Sequence, residues 1–152
     1  MKIRRSLPLL CLMLLVSCGH PERDEIKVLL SNREKAFEKK DVELYMALIA
    51  PNYRQIDQGK EKLREDVKKL FLTNVTIFDS ISIESADKDI YIDKNKANVV
   101  QKTIVNAILE DESGRFILIE RIKLEKINGK WLIVKEPDSD FLTKFVFSGS
   151  AN

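Results

Sequence analysis

The first half of the chain carries the hydrophobic spacing of helices. From Glu25 onward, apolar residues recur at intervals near 3.6, which predicts an amphipathic helix. Its apolar positions are Ile26, Leu29, Leu30, Ala36 and Phe37. Arg33 falls within this apolar stripe, and we expect it to lie at the margin of the stripe rather than at its centre.

Two further helices are predicted next, of which the first is shorter than the helix before it. Asp41 is a suitable N-cap for the first of them, and Pro51 ends it. Residues 52–57 are expected to be extended, and Gly59 leads into the second helix. The apolar face of that helix comprises Leu63, Val67, Leu70 and Phe71.

After Thr73 the hydrophobic period changes to two, which predicts half-buried strands. The first strand presents on one face Val75, Ile77, Ile81 and Ile83. Residues 90–92 and 97–109 are further strands, with turns over 93–96 and 111–114. The next strand presents on one face Phe116, Leu118, Ile122 and Leu124.

The end of the chain predicts a hairpin and a packed tail. Asn128-Gly129 suits a two-residue type I′ turn, after which residues 131–135 return along the preceding strand. The tail over 141–147 is too apolar to be free in water, so we expect it to pack on the domain. Helices first and long antiparallel strands afterwards predict a segregated α+β fold.

The N-terminus has the layout of an export signal. A basic start is followed by the apolar run Leu7–Val16, which is too short for a bilayer span of about 20 residues. The run ends in Leu15-Val16-Ser17-Cys18, which resembles the bacterial lipobox. The alternatives are an uncleaved membrane anchor or a core helix that ends on a buried cysteine, and Pro8 within the run argues against the helix.

The lipobox resemblance implies that lipoprotein-processing enzymes cleave the chain before Cys18 and attach acyl chains to it. The expected product is anchored in a membrane of the cell envelope, outside the cytosol. Gly19 after the cysteine favours the outer membrane in a cell that has one. The expected division is a signal peptide over 1–17, a lipidated cysteine and tether over 18–24, one domain over 25–147, and a disordered end over 148–152.

Removal of the signal changes the charge of the protein. The whole chain has a net charge of +2, and loss of Lys2, Arg4 and Arg5 without any acid leaves −1. Nucleic-acid binding needs a basic surface to displace counterions, so we expect no nucleic-acid partner. The folded domain would keep neither a free thiol nor a histidine, since His20 falls in the tether. We therefore expect no metal and no cofactor.

Two acids stand out because each interrupts an apolar strand face. Asp79 lies between Ile77 and Ile81, and Glu120 between Leu118 and Ile122. A charge at such a position is costly unless it is paired or faces a cavity. Apolar surroundings would raise the pKa of either carboxyl toward neutrality, which makes both weak candidates for a catalytic base. The alternatives are a β-bulge or a sheet margin where the acid reaches water.

The inner sheet face and the helices predict a ligand pocket. Gln101 and Thr103 share a face with Val99, Val105 and Ala107, so they line either a polar patch of the pocket or a solvated sheet surface. The tyrosines could present hydroxyls inward or serve as core aromatics with hydrogen-bonded tips. The predicted pocket residues are Phe37, Leu44, Tyr45, Tyr53, Gln101, Leu118, Glu120, Trp131 and Ile133.

Several motifs resemble the nuclear transport factor 2-like superfamily, which is also called SnoaL-like or the cystatin-like α+β cone. They are KAFEKKDVELYMALIAPNY over 35–53, Gly59 before a helix, Ala97-Asn98-Val99, and NGKWLI over 128–133. The resemblance covers residues 25–136. It implies N-terminal helices packed in the concave face of a strongly bent antiparallel sheet, with a conical pocket between them. Because the superfamily holds isomerases, cyclases, hydratases and non-catalytic proteins, it implies no particular activity.

Three functions follow from these features. The leading hypothesis is a membrane-anchored envelope lipoprotein whose non-enzymatic pocket or sheet surface binds a small apolar ligand or an envelope protein. The second is an isomerase-type or hydratase-type enzyme that uses Glu120 or Asp79 as its base. The third is a structural module that forms a homodimer through an open sheet face. The lack of a catalytic constellation beyond isolated acids favours the first.

Overall fold

The computed structural model describes residues 20–57, 59–137 and 141–149. The helices are α1 (Pro21–Lys39), α2 (Val42–Met46), α3 (Arg64–Ile77) and α4 (Phe141–Gly149). The strands are β1 (Arg54–Asp57), β2 (Lys60–Leu63), β3 (Ser80–Asp93), β4 (Lys96–Leu109), β5 (Glu112–Ile127) and β6 (Lys130–Lys135). The predicted α+β class is confirmed.

Helix α1 begins earlier than its hydrophobic pattern predicted. Pro21 occupies its first turn, where the missing N–H of proline costs nothing, and Glu22 and Asp24 complement the positive helix end. The helix therefore includes residues 21–24, which the sequence assigned to the tether. Cys18 and the predicted signal peptide lie outside the described residues.

The main sheet is an antiparallel meander in the order β3-β4-β5-β6. Asn128 and Gly129 have φ values of 50° and 78°, which confirms the predicted type I′ hairpin. The β4–β5 turn is also two residues long, at Glu110 and Asp111, and begins one residue before the predicted turn. A register shift between Ala86 and Asp89 bulges β3, and bulges bend and twist a strand.

The prediction of a strand beginning after Thr73 is wrong at its N-terminal end. Val75 and Ile77 belong to α3, because Val67, Phe71 and Val75 are spaced four residues apart and form its buried stripe. The strand begins only at Ser80. Val75 and Ile77 at the end of α3 alternate with polar residues as a strand does, so the pattern predicts a strand that begins too early.

The segment around Gly59 also differs from its prediction. Gly59, with φ 78°, lies in the turn between β1 and β2, which pair as a separate two-stranded sheet. Leu63 therefore precedes α3 instead of belonging to its buried face, and 47% of it is exposed. The Asp66 carboxylate accepts a hydrogen bond from the Leu63 backbone N–H at 2.9 Å and so satisfies the start of the helix.

The core lies between α1 and the inner face of the main sheet. Phe37 of α1 packs against three other aromatic rings, with centroid distances of 5.4 Å to Tyr45, 4.9 Å to Phe71 and 5.5 Å to Phe141. Phe141 and Phe145 bury one side of α4, so the apolar tail packs on the domain as predicted. The core thus joins all four helices to the sheet.

Candidate functional site

A buried ion pair lies at the centre of the domain. Arg33 of α1 and Glu120 of β5 are each only 1% exposed. The guanidinium donates two parallel hydrogen bonds to the carboxylate, from Nη1 to Oε2 and from Nη2 to Oε1, both at 3.0 Å. Arg33 is therefore central to the packed face of α1, and its predicted place at the margin of the stripe is wrong.

Two polar side chains of β4 complete the shell around Glu120. Thr103 donates its hydroxyl to Glu120 Oε2 at 2.6 Å, and the Gln101 amide donates to the same oxygen at 3.0 Å. In the strand register, Gln101 lies directly opposite Glu120. Both β4 residues are buried, which corresponds to the polar-patch alternative and contradicts a solvated sheet surface.

A second carboxyl group, Glu136, completes the cluster. Its Oε2 lies 3.6 Å from Arg33 Nη2, and its backbone N–H donates to the Tyr53 hydroxyl at 3.1 Å. That hydroxyl in turn donates to Gln55 Oε1 at 2.7 Å. Among the described residues, Glu136 Oε1 and Arg33 Nε have no hydrogen-bond partner. One cation thus faces two buried carboxyl groups.

The environment moves the pKa values of the two carboxyls in opposite directions. Burial acts to raise the pKa of Glu120, but the Arg33 charge and the hydrogen bonds from Arg33, Thr103 and Gln101 outweigh it and lower the pKa. For Glu136, burial dominates and raises the pKa, and the nearby Glu120 charge adds to the shift. Burial also raises the pKa of Tyr45, which hydrogen-bonds with Glu136.

The cavity beside this cluster is very small. Its volume is about 10 Å³, and its lining includes Arg33, Phe37, Tyr45, Asn74 and Glu136. A cavity needs about 10–15 Å³ to hold one water molecule. This cavity, as the described residues line it, therefore has no room for an organic ligand.

A much larger concavity lies outside the core, along α1. This surface, which we call the α1 groove, has a volume of about 670 Å³. Its apolar lining is formed by Pro21, Val28, Leu29, Leu44, Leu48 and Trp131. Asp24, Glu25 and Lys130 also line it. Val28 is 60% exposed although it is apolar, so the groove presents hydrophobic surface to solvent.

The structure distributes the predicted pocket residues over four places. Phe37 and Tyr45 line the small interior cavity, while Gln101 and Glu120 belong to the polar cluster. Leu44 and Trp131 line the α1 groove. The three that pack in or against the core are Tyr53, Leu118 and Ile133. The nine residues do not surround one common pocket.

Asp79 does not lie on the apolar strand face that its sequence position suggested. It is exposed in the connection between α3 and β3, where its Oδ2 accepts a hydrogen bond from the Glu110 backbone N–H at 2.9 Å. It faces no enclosed cavity among the described residues. Its candidacy as a catalytic base came from the incorrect strand assignment before Ser80.

Arg33 and Glu136 were not among the predicted site residues. The sequence did carry a signal for Arg33, since a basic residue inside an apolar helical stripe requires a buried partner, and Glu120 posed the complementary requirement. Glu136 follows the last strand beside Pro137, where an acid usually marks an exposed loop. Nothing in its local pattern indicated burial.

Comparisons with known proteins bear on the fold. No protein-family model matches the chain, and no curated protein matches it in sequence. A solved structure from Nostoc punctiforme with a cystatin-like fold is 22% identical with a TM-score of 0.63, covering 76% of this chain and 88% of that one. A nuclear transport factor 2-like superfamily protein from Salmonella enterica serovar Typhimurium is 18% identical with a TM-score of 0.65, covering 78% and 92%. The chain has the nuclear transport factor 2-like fold.

Proteins with this nuclear transport factor 2-like fold include catalysts. The LinA-type3 hexachlorocyclohexane dehydrochlorinase of Novosphingobium barchaimii is 14% identical with a TM-score of 0.65, covering 76% of this chain and 83% of that one. At such low identity the likeness shows the fold alone. Function has to be argued from the side chains of this chain. Among the described residues, no helix is long and apolar enough to cross a membrane, and no group of acids or histidines is arranged to hold a metal.

Proposed function

We propose that this protein is a lipid-anchored, non-catalytic domain of the bacterial cell envelope that binds an apolar ligand in the α1 groove. The observation that carries the proposal is the contrast between the two concavities. The interior cavity has a volume of about 10 Å³, whereas the α1 groove has about 670 Å³ and is mainly apolar. Small-molecule sites usually measure about 300–1,000 Å³, so of these two concavities it is the groove that has a suitable size. Surface concavities of about 390, 510 and 530 Å³ also occur elsewhere on the domain.

The state of Glu120 argues against the enzyme alternative. A general base must be free to take a proton from a substrate within hydrogen-bond reach. Both oxygens of Glu120 already accept hydrogen bonds from Arg33, and one of them also accepts from Thr103. The lowered pKa further favours a structural carboxylate that is charged at neutral pH. The cluster therefore supports a role in holding α1 on the sheet.

The anchor is supported by the sequence and is compatible with where α1 begins. Cys18 precedes the first residue of α1, Pro21, by three positions. An acyl-bearing cysteine at that point would hold the domain close to the bilayer, with the α1 groove next to the attachment point. Two or more acyl chains give stable anchoring, because each buried methylene contributes about 0.8 kcal/mol.

Intact-mass analysis of the protein from a bacterial host tests the anchor. We expect loss of residues 1–17 and added acyl mass on Cys18, and a Cys18→Ser variant that keeps its full length and gains no lipid. Recovery of the unmodified full-length chain would contradict the proposal.

Titration of the unlipidated Cys18→Ser protein with palmitate tests the groove. Val28→Asp, which places a charge in the apolar lining, should weaken binding about tenfold or more. Ile56→Asp is the control, because Ile56 is 66% exposed on β1 and lies outside the groove. Absence of palmitate binding, or equal weakening by both substitutions, would remove the support for the groove as a ligand site.

A second candidate function, homodimer assembly, is favoured by the outer face of the main sheet. Its central apolar residues include Ile117 and Ile119, which are 52% and 63% exposed. The β3 margin carries Glu84, Asp89 and Asp93, and the β5 margin carries Arg115, Arg121 and Lys123. These three acids lie on the β3 side of the face and these three bases on the β5 side, where Glu125 is paired with Lys96 of β4 at 3.8 Å.

The charge pattern of this face is complementary to the same face of a second copy. Asp89 pairs in register with Val100, and Val100 pairs with Arg121, so the three lie in one row across the sheet. A two-fold axis parallel to the strands would place β3 of one copy over β5 of the other. It would therefore bring Asp89 of each copy over Arg121 of its partner.

Light scattering tests the assembly function. We expect a mass near twice that of the monomer, a shift toward monomer for Asp89→Arg, and recovery of the dimer in Asp89→Arg/Arg121→Asp. Leu72→Arg on α3 is the control for an added charge. A monomeric wild type at high micromolar concentration, or no rescue by the double substitution, would contradict it.

A further inference from the structure

The α1 groove begins where the anchored end of the chain would enter the domain. Pro21, the first residue of α1, is itself part of the groove lining. Cys18 lies only three residues earlier in the sequence. An extended chain spans about 3.3–3.6 Å per residue, so three residues of backbone reach at most about 11 Å beyond Pro21. A group attached to Cys18 is therefore tethered close to this end of the groove by chain length alone.

The floor of the groove suits an unbranched hydrocarbon chain. From Pro21 it continues along α1 through Val28 and Leu29, with Leu48 and Trp131 also lining it. These side chains offer apolar contact. Burying an acyl chain against them would remove the hydrophobic surface of Val28 from water.

The acids at the start of the groove are already paired with cations. Asp24 and Glu25 lie near the first turn of α1, where they contact Lys27 and Lys126, each at 3.2 Å. The Trp131 indole N–H is buried and has no hydrogen-bond partner among the described residues. The carbonyl oxygen of an ester or amide carried into the groove would be an acceptor for such a donor.

We infer that the α1 groove holds an acyl chain attached to Cys18 of the same molecule. This inference rests on the proposed function, since it requires both a lipidated Cys18 and a groove that binds apolar chains. It adds that the ligand is the protein's own anchor. The groove and the bilayer then compete for one acyl chain, and the groove shields that chain from water whenever the domain is away from a membrane.

The single tryptophan makes the inference directly measurable. Trp131 is the only tryptophan of the chain and lines the groove. In the mature chain beginning at Cys18, the only thiol is that of Cys18, because Cys11 belongs to the predicted signal. Alkylating this thiol with a brominated hexadecyl chain places a short-range fluorescence quencher on the tether. The same chain without bromine is the matched control.

We expect the brominated chain to quench most of the Trp131 emission, to the same extent at every protein concentration because the contact is intramolecular. Val28→Asp should restore the emission, while Ile56→Asp should leave it quenched. Unquenched emission, quenching that fades on dilution, or quenching that survives Val28→Asp would overturn the inference.

Added brominated palmitate separates failure of the inference from failure of the proposed function. If it quenches the Cys18→Ser protein while the tethered chain does not quench, the groove is a site for separate apolar ligands and the inference fails alone. If neither probe quenches, the groove function fails as well. If both probes quench but protein from the bacterial host carries no acyl mass, the anchor fails and the inference fails with it.

Discussion

Arg33→Met is expected to lower the free energy of unfolding by about 3–5 kcal/mol at pH 7, because it leaves buried carboxylates without their cation. Glu120 would lose both bonds from the guanidinium, and Glu136 would lose the cation that lies 3.6 Å from its Oε2. Methionine fills most of the arginine volume, so loss of charge pairing should dominate over loss of packing. Urea denaturation of wild type and variant measures the difference.

The pH dependence identifies the cause. In the wild type the pKa of Glu120 is lowered, so its stabilisation is present above the unfolded pKa of about 4.3 and is lost as pH falls through the folded pKa. In Arg33→Met the same buried carboxyl loses its cation, and its folded pKa should rise above the unfolded value. The protonated form of Glu120 is then the one that favours the folded state, and its contribution to stability is lost as pH rises. The stability deficit of the variant should therefore shrink between pH 7 and pH 4.

Two further variants control this experiment. Lys35→Met changes an exposed cation on the same helix and should alter stability by less than about 0.5 kcal/mol. Arg33→Lys keeps a charge but lacks the planar two-donor geometry, so it should fall between Arg33→Met and wild type. A deficit for Arg33→Met that stays constant with pH would show that packing, not the ion pair, is what Arg33 supplies.

Phe37→Ala is expected to cost about 3–5 kcal/mol, the usual range for removing a buried aromatic ring. Phe37 is 2% exposed and contacts Tyr45, Phe71 and Phe141, which come from three different helices. The Arg33 guanidinium also lies 5.5 Å from its ring centroid. Removing the ring opens a void at the point where the four helices meet, and the surrounding elements cannot all collapse into it.

Thermal and urea denaturation measure this loss, and Leu72→Ala provides the comparison. Leu72 lies on α3 beside Phe71 but is 37% exposed, so its truncation should cost much less. Equal effects of the two substitutions would mean that the aromatic cluster is not the centre of the core. Palmitate binding in the α1 groove should be retained by folded Phe37→Ala protein, because Phe37 does not line that groove.

The sequence predicted the fold class because its strongest signals are local. Asn128-Gly129 determined a hairpin through backbone conformation, and Asp41 capped α2 through its carboxylate, which accepts from the Leu44 N–H at 2.9 Å. The alternation along β5 reflects burial of one sheet face from Phe116 to Leu124. Each of these patterns depends on neighbours within a few residues, so it can be read without a three-dimensional structure.

The errors arose where two periods overlap or where a partner is distant. Val75 and Ile77 satisfy both the spacing of a helix and that of a strand, and only packing of α3 decides between them. The β1–β2 pair is formed by short, largely exposed segments with little hydrophobic alternation. For the same reason as with Val75 and Ile77, the pattern predicted Asp79 on a sheet face, although Asp79 lies in the connection between α3 and β3.

The sequence indicated separate parts of the candidate site but not how they fit together. Arg33 and Glu120 each showed a charge in an apolar setting, but nothing local states that the two charges face each other. The predicted pocket combined residues from the interior with Leu44 and Trp131, because sequence gives the buried side of an element and not the volume left beside it. The α1 groove depends on how α1, α2 and the β5–β6 hairpin are spaced, which is a tertiary property.

The Arg33–Glu120 pair also has a kinetic consequence. The two residues are separated by 87 positions in the sequence. Joining them requires α1 to pack on β5, which comes much later in the chain. Closing a loop of this length costs entropy and slows folding. We expect the two-donor geometry of the pair to form only after the transition state, once the surrounding core has excluded water. Loss of the pair should then accelerate unfolding while leaving the refolding rate nearly unchanged. The main effect of the pair would be to lengthen the lifetime of the native state. Stopped-flow refolding and unfolding of Arg33→Met would show this as a shift confined to one arm of the chevron.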